Sequence, residues 1–125
     1  MKHALSLIVA AAVLGALPVA AGAAPLKDTL PCFLRSDLRN HTVGDARTLY
    51  KEVGGQGVYR IVMSNACLAS AVSSDPIHWR DPTGSGRVCH KTDVDITAAG
   101  GKCFVDRIEK MTPAEVQALP AKKRP

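Results

Sequence analysis

No C-x-x-C pair, C-x-x-C-H string, phosphate-cradling glycine loop or G-x-S-x-G turn occurs in the 125 residues. The first absence argues against thioredoxin-like disulfide exchange, and the second removes covalent c-type haem attachment. Without a glycine fingerprint between a strand and a helix there is no nucleotide-phosphate site to expect; "GGQG" at 54–57 sits between two strand-like runs instead. The nearest approach to a serine elbow is "GSG" at 84–86, which reads as a flexible turn. Beyond the first two dozen residues no long apolar run, internal repeat or low-complexity tract follows. No cofactor is expected from any of these patterns.

The N-terminus has a definite layout. Lys2 and His3 precede the apolar run "ALSLIVAAAVLGALPVA", and Ala21 and Ala23 then occupy the small-residue positions read by signal peptidase. Residues 1–23 are therefore expected to be a signal peptide, cut after Ala23, because a cut after Ala24 would put Pro25 at the scissile bond. A membrane anchor is the competing reading, but the run is short and lacks a basic stop signal. The expected product is a soluble periplasmic or secreted protein with no transmembrane segment. It has residues 24–111 as one domain and 112–125 as a short helix and basic tail. Losing Lys2 lowers the formal charge from +5 to +4, spread along the chain except for the closing "KKRP". That excess is too diffuse to argue for a nucleic-acid partner, and permits only loose attraction to anionic surfaces.

Four cysteines remain: Cys32, Cys67, Cys89 and Cys103. An even count in a small exported chain reads as two disulfides. A thiolate metal site would use closely spaced pairs, whereas these gaps are 35, 22 and 14 residues. Cys67–Cys89 with Cys32–Cys103 is the favoured pairing, and Cys32–Cys67 with Cys89–Cys103 the alternative.

The lead-in "APLKDTLP" reads as irregular, and "CFLRSDLRNHTV" as either a strand or a helical turn. "RTLYKEV-GGQG-VYRIVM" reads as a β-hairpin with Val53 opposite Val58, Leu49 opposite Val62 and Tyr50 opposite Ile61. "SNACLASAVSSDP" is loop-like, "IHWR" a short strand ending at the turn "DPTGSG", and "RVC" another extended piece. A second hairpin, "VDIT-AAGG-KCFVDRIE", sets Thr97 against Lys102, Ile96 against Cys103 and Val94 against Val105. Asp93, Asp95 and Asp106 then fall on its solvent face. Thr112, Pro113 and Glu115 form a capping box for a helix of one to two turns, followed by a frayed tail.

Several side chains are candidates for chemistry. Asp93, Asp95 and Asp106 on one hairpin face can act as an acid/base pair or hold a cation; a solvated face balanced by Lys91, Lys102 or Arg107 is the simpler reading. His78, His90, Asp93 and Asp95, with Asp81, are candidate transition-metal ligands if the loop closes on itself. Trp79, between His78 and Arg80, is a candidate for lining a ligand groove, as is Tyr59. The catalytic assignment is none.

The order Cys32, "GDARTLY" with Asp45 and Leu49, "VYRIVM" with Tyr59, Cys67, "VCHKTD" with Cys89 and Asp93, then Cys103 resembles a group of small exported proteobacterial proteins. That group is classed only as a domain of unknown function. The likeness spans about residues 32–110. The chain departs from the pattern at Gly44, where the pattern has the first of two aspartates. The resemblance implies an exported, disulfide-stabilised β domain and implies no activity.

The expected fold is mainly β: a small barrel or sandwich of about five or six antiparallel strands with two disulfides and a short C-terminal helix. The expected function is that of an exported accessory protein, a non-enzymatic module that binds a protein partner or small ligand. A metal-dependent binder or hydrolase is one alternative. An inhibitor of an exported enzyme, presenting the loop from Asp75 to Gly86, is the other.

Overall fold

A computed structural model describes residues 32–99 and 101–125. The expected signal peptide, 1–23, and the lead-in 24–31 lie outside the described residues.

The described chain is mainly β. Its strands are β1 (Phe33–Leu34), β2 (Leu38–Asp45), β3 (Thr48–Val53), β4 (Gly57–Met63), β5 (Ile77–Arg80), β6 (Arg87–Val88), β7 (Asp95–Ala98), β8 (Gly101–Cys103) and β9 (Val105–Lys110). The short helix α1 (Pro113–Ala118) follows. Three antiparallel sheets form, ordered β2-β3-β4-β9, β5-β7-β8 and β1-β6. Among the described residues they do not close into a barrel. The strands outnumber the five or six expected because two are two-residue bridges and "KCFVDRIE" is cut in two.

The first hairpin forms, with its register one residue away from the expected one. Val53 pairs with Gly57, Leu49 with Ile61 and Tyr50 with Arg60. The loop is three residues, Gly54–Gln56, because the Gln56 N–H bonds back to the Val53 carbonyl at 3.0 Å. Gly55 and Gly57 take positive φ of 75° and 99°, which a side chain would resist. A one-residue slip moves every side chain to the other face. The inner face therefore carries Leu49, Lys51, Val53, Tyr59, Ile61 and Met63, all buried. They share a core with Phe33, Val88, Val94, Ile96, Ala98, Cys103 and Ile108 from the other strands.

The second hairpin keeps the expected register at Ile96–Cys103 and Thr97–Lys102. Beyond it, Val105 pairs with Met63 of β4 and not with Val94. The strand turns at Phe104, where Asn65 replaces a strand partner. Its side-chain amide donates to the Lys102 carbonyl and its Oδ1 accepts from the Phe104 N–H, both at 2.9 Å.

Both expected disulfide pairings are overturned: the bonds are Cys32–Cys89 and Cys67–Cys103. Strand pairing causes the first. Phe33 opposite Val88 brings the next residues outward, Cys32 and Cys89, to a Cα separation of 4.3 Å. The second follows from the Asn65 corner, which holds the end of β4 beside β8, with Cα atoms 5.3 Å apart.

At the C-terminus the capping box is present, with Thr112 Oγ1 accepting from the Glu115 N–H and the Glu115 carboxylate from the Thr112 N–H. The tail is docked, not frayed. The Thr42 hydroxyl donates to the Lys123 carbonyl at 2.6 Å, and the Lys123 ammonium donates to the Gly44 carbonyl. Gly44 is closely packed there, since a Cβ would come within 2.7 Å of the Tyr50 ring.

Candidate functional site

The sheet β5-β7-β8 has one face in the core and one toward solvent. Ile96, Ala98 and Cys103 point inward. Period-two alternation then puts His78, Arg80, Asp95, Thr97 and Lys102 on the outer face. The register sets His78 beside Thr97, which pairs with Lys102, and Arg80 beside Asp95. With Trp79 at the margin these residues line a groove of about 350 Å³.

Charge in the groove is unbalanced. The single carboxylate, Asp95, sits between Arg80 at 2.8 Å and Lys102 at 3.5 Å. The Arg80 hydrogen bond, reinforced by Lys102, holds Asp95 below the usual aspartate value of 3.8. It therefore stays ionised and fixes both cations in place. The Lys102 ammonium also lies 5.9 Å from the ring centroid of Phe104, which is 55% exposed at the sheet corner.

Behind Trp79 lies the most unusual polar group of the core. Lys51 is only 6% exposed; its ammonium donates to the Arg39 carbonyl and stands 5.7 Å over the Trp79 ring. Burial pushes the Lys51 pKa down. His41, bonded through Nε2–H to the Asp75 carbonyl at 3.0 Å, is also pushed down, first by burial and then by Lys51 despite that bond. A cation on an indole face, partly desolvated, contributes on the order of 0.5–2 kcal/mol. Lys51 thus ties the four-stranded sheet to the back of the groove.

Next to the groove, the loop Asp81–Gly86 is organised by one side chain. The Asp81 carboxylate accepts from the Thr83 N–H at 2.8 Å, the Thr83 hydroxyl at 2.7 Å, the Gly84 N–H at 2.9 Å and the Gly86 N–H. The Thr83 hydroxyl and then the Gly86 amide bring its pKa down from 3.8 to about 2. Because the folded value is the lower one, this contribution is present above the ordinary aspartate range and is lost as pH falls toward about 2. Asp81→Ala should speed amide exchange at Thr83, Gly84 and Gly86 while leaving global melting nearly unchanged. Unaltered exchange would show that something else holds the loop.

The remaining sequence candidates separate in space. Among the described residues no group of three or more His, Cys, Asp or Glu is placed to hold a metal ion. Asp93 closes the turn Lys91–Asp93 by accepting from the Cys89 and His90 amides at 2.9 and 2.8 Å. Asp106 pairs with Arg107 at 3.1 Å on β9, a strand that pairs with β4 and not with β7, so the hairpin expected to set it across from Asp93 does not form there. His78 and Asp95 stay in the groove and His90 is exposed beyond Cys89. Tyr59 does not line this groove: it is fully buried, 4.9 Å from the Phe33 ring. Trp79 does line it. Sequence reasoning missed Arg80, Thr97, Lys102 and Phe104 as site members; the register Thr97–Lys102 was the available signal.

A second hollow, of about 420 Å³, runs between α1 and the first hairpin, lined by Val58, Met111, Pro113 and Val116 among others. It is a packing seam and carries no clustered charge. Among the described residues no helix is long and apolar enough to cross a membrane. Comparison with known proteins brings no match: no family model, no curated protein and no solved structure matches the chain.

Proposed function

We propose that the protein is an exported, sandwich-like accessory module that binds a partner through the outer face of β5-β7-β8. The observation that carries this reading is the groove itself, with two cations and a histidine around one carboxylate, flanked by Trp79 and the exposed Phe104. Arginine and aromatic side chains are the residue types that anchor protein interfaces. Two disulfides accord with an oxidising compartment, periplasmic or secreted. The likeness to the exported four-cysteine group of unknown function belongs to the same proposal.

A second reading, inhibition of an exported enzyme, has its own support in the Asp81 network, which pre-organises an exposed loop as inhibitory loops require. One experiment separates the two. A photo-crosslinking residue is placed at Thr97 in one variant and at Ser85 in another, and both are expressed in a native exporting host. Adducts from position 97 support the groove; adducts confined to position 85 would replace it with the loop.

A further inference from the structure

The groove is bordered by β5, an edge strand of its sheet among the described residues. Among the described residues the backbone of β5 bonds only to β7. The opposite edge of the same sheet, β8, is closed by Asn65 on the Lys102 carbonyl and by the Cys67–Cys103 bond. An unpaired edge offers a row of N–H and C=O groups to an extended chain. Resting on the reading that this face binds a partner, we propose that the partner is an extended acidic segment that adds as a strand along β5.

The chemistry of the edge selects the occupant. His78 and Arg80 are two residues apart and both project to the outer face, where the Arg80 side chain is 77% exposed. Side chains of an added strand on that face would lie about 4.5–5.5 Å from theirs, Cβ to Cβ. Carboxylates at alternate positions would meet both, and Asp95, already shared between Arg80 and Lys102, leaves charge for them to neutralise. A second copy of β5 in the same place would bring another Arg80 to this face and no carboxylate, so it is a poorer occupant than an acidic segment. The backbone supplies the bonds, and the alternating charge supplies the selection.

The test uses a short capped peptide alternating threonine and glutamate, its threonine–lysine counterpart, and the glutamate peptide N-methylated at alternate amides. Binding is followed by backbone amide shifts and by the fluorescence of Trp79, the sole tryptophan. The glutamate peptide should shift and protect the Ile77–Arg80 amides, and N-methylation should weaken it by about tenfold or more, as loss of backbone bonds requires. The H78E/R80E double variant, altered at two exposed positions, should bind the lysine peptide instead. Binding in the groove that N-methylation does not weaken would overturn strand addition while leaving the binding face standing. Peptide shifts absent from this sheet, together with no crosslink from Thr97, would overturn both.

Discussion

Reducing both disulfides is expected to unfold the protein under conditions in which the oxidised form is stable. Cys67–Cys103 closes a loop of 36 residues and Cys32–Cys89 one of 57. Loop-closure entropy assigns each about 4 kcal/mol. A small domain has only about 5–15 kcal/mol in all, so losing both removes most or all of its margin. The double variant Cys67→Ala with Cys103→Ala isolates one bond without leaving a free thiol, and should lower the denaturation free energy by about 4 kcal/mol. Urea titration of the oxidised, reduced and double-variant proteins measures this. A midpoint unmoved by reduction would mean that the sheets hold without the bonds. Non-reducing peptide mapping provides the companion check: fragments linking Cys32 to Cys89 and Cys67 to Cys103 are expected, and either other connectivity would contradict the β1-β6 pairing that positions the first bond.

That pairing shows where sequence reading reaches its limit. The strands themselves were legible, because "RTLYKEV" and "VYRIVM" around a glycine loop, and "VDIT" with "KCF", carry their own local pattern. So was the α1 cap, a contact over three residues. The register of the first hairpin was not. Three glycines at the turn allow a loop of three or four residues, and a lysine in the strand argues locally for solvent. Only the Arg39 carbonyl and the Trp79 ring, supplied from elsewhere in the fold, make an inward Lys51 tolerable. The bend at Phe104 depends on Asn65, 39 residues away, and leaves no mark in its own neighbourhood. Long-range pairing also decides the site. The string His78–Trp79–Arg80 and the pair Thr97–Lys102 were each visible, but only the β5-β7 ladder brings them to one groove. The carboxylates failed for the converse reason: Asp93 and Asp95, two residues apart, serve a turn and an ion pair, and Asp106 lies in a separate sheet.

Tyr59→Ala is expected to cost about 3–5 kcal/mol of stability, the range for removing a large aromatic from a packed core. Tyr59 has no exposed surface and packs at 4.9 Å against Phe33, which anchors β1 and so the Cys32–Cys89 region. Its hydroxyl donates to Gln56 Oε1 at 2.8 Å in the hairpin loop that fixes the register. Tyr59→Phe keeps the ring and removes that bond, so its cost should be only about 1 kcal/mol. Neither variant should change affinity per folded molecule for the glutamate peptide, whereas Arg80→Glu should do the reverse: weaken binding with little effect on stability, since an exposed ion pair contributes at most about 1 kcal/mol. Tyr59 and the buried Lys51 respond to pH in opposite ways. Burial raises the Tyr59 pKa above its ordinary 10.0, so the folded state keeps a proton that the unfolded chain releases, and stability falls as pH rises past 10.0. Lys51 acts in the opposite sense. Its folded pKa lies below 10.5, so the unfolded chain holds the extra proton and stability rises between the two values. Tyr59→Phe therefore leaves Lys51 unopposed, and its alkaline loss of stability should be shallower than that of the parent protein. Urea midpoints taken across the alkaline range would show the difference, and parallel curves would place the Tyr59 hydroxyl in water instead of in the core.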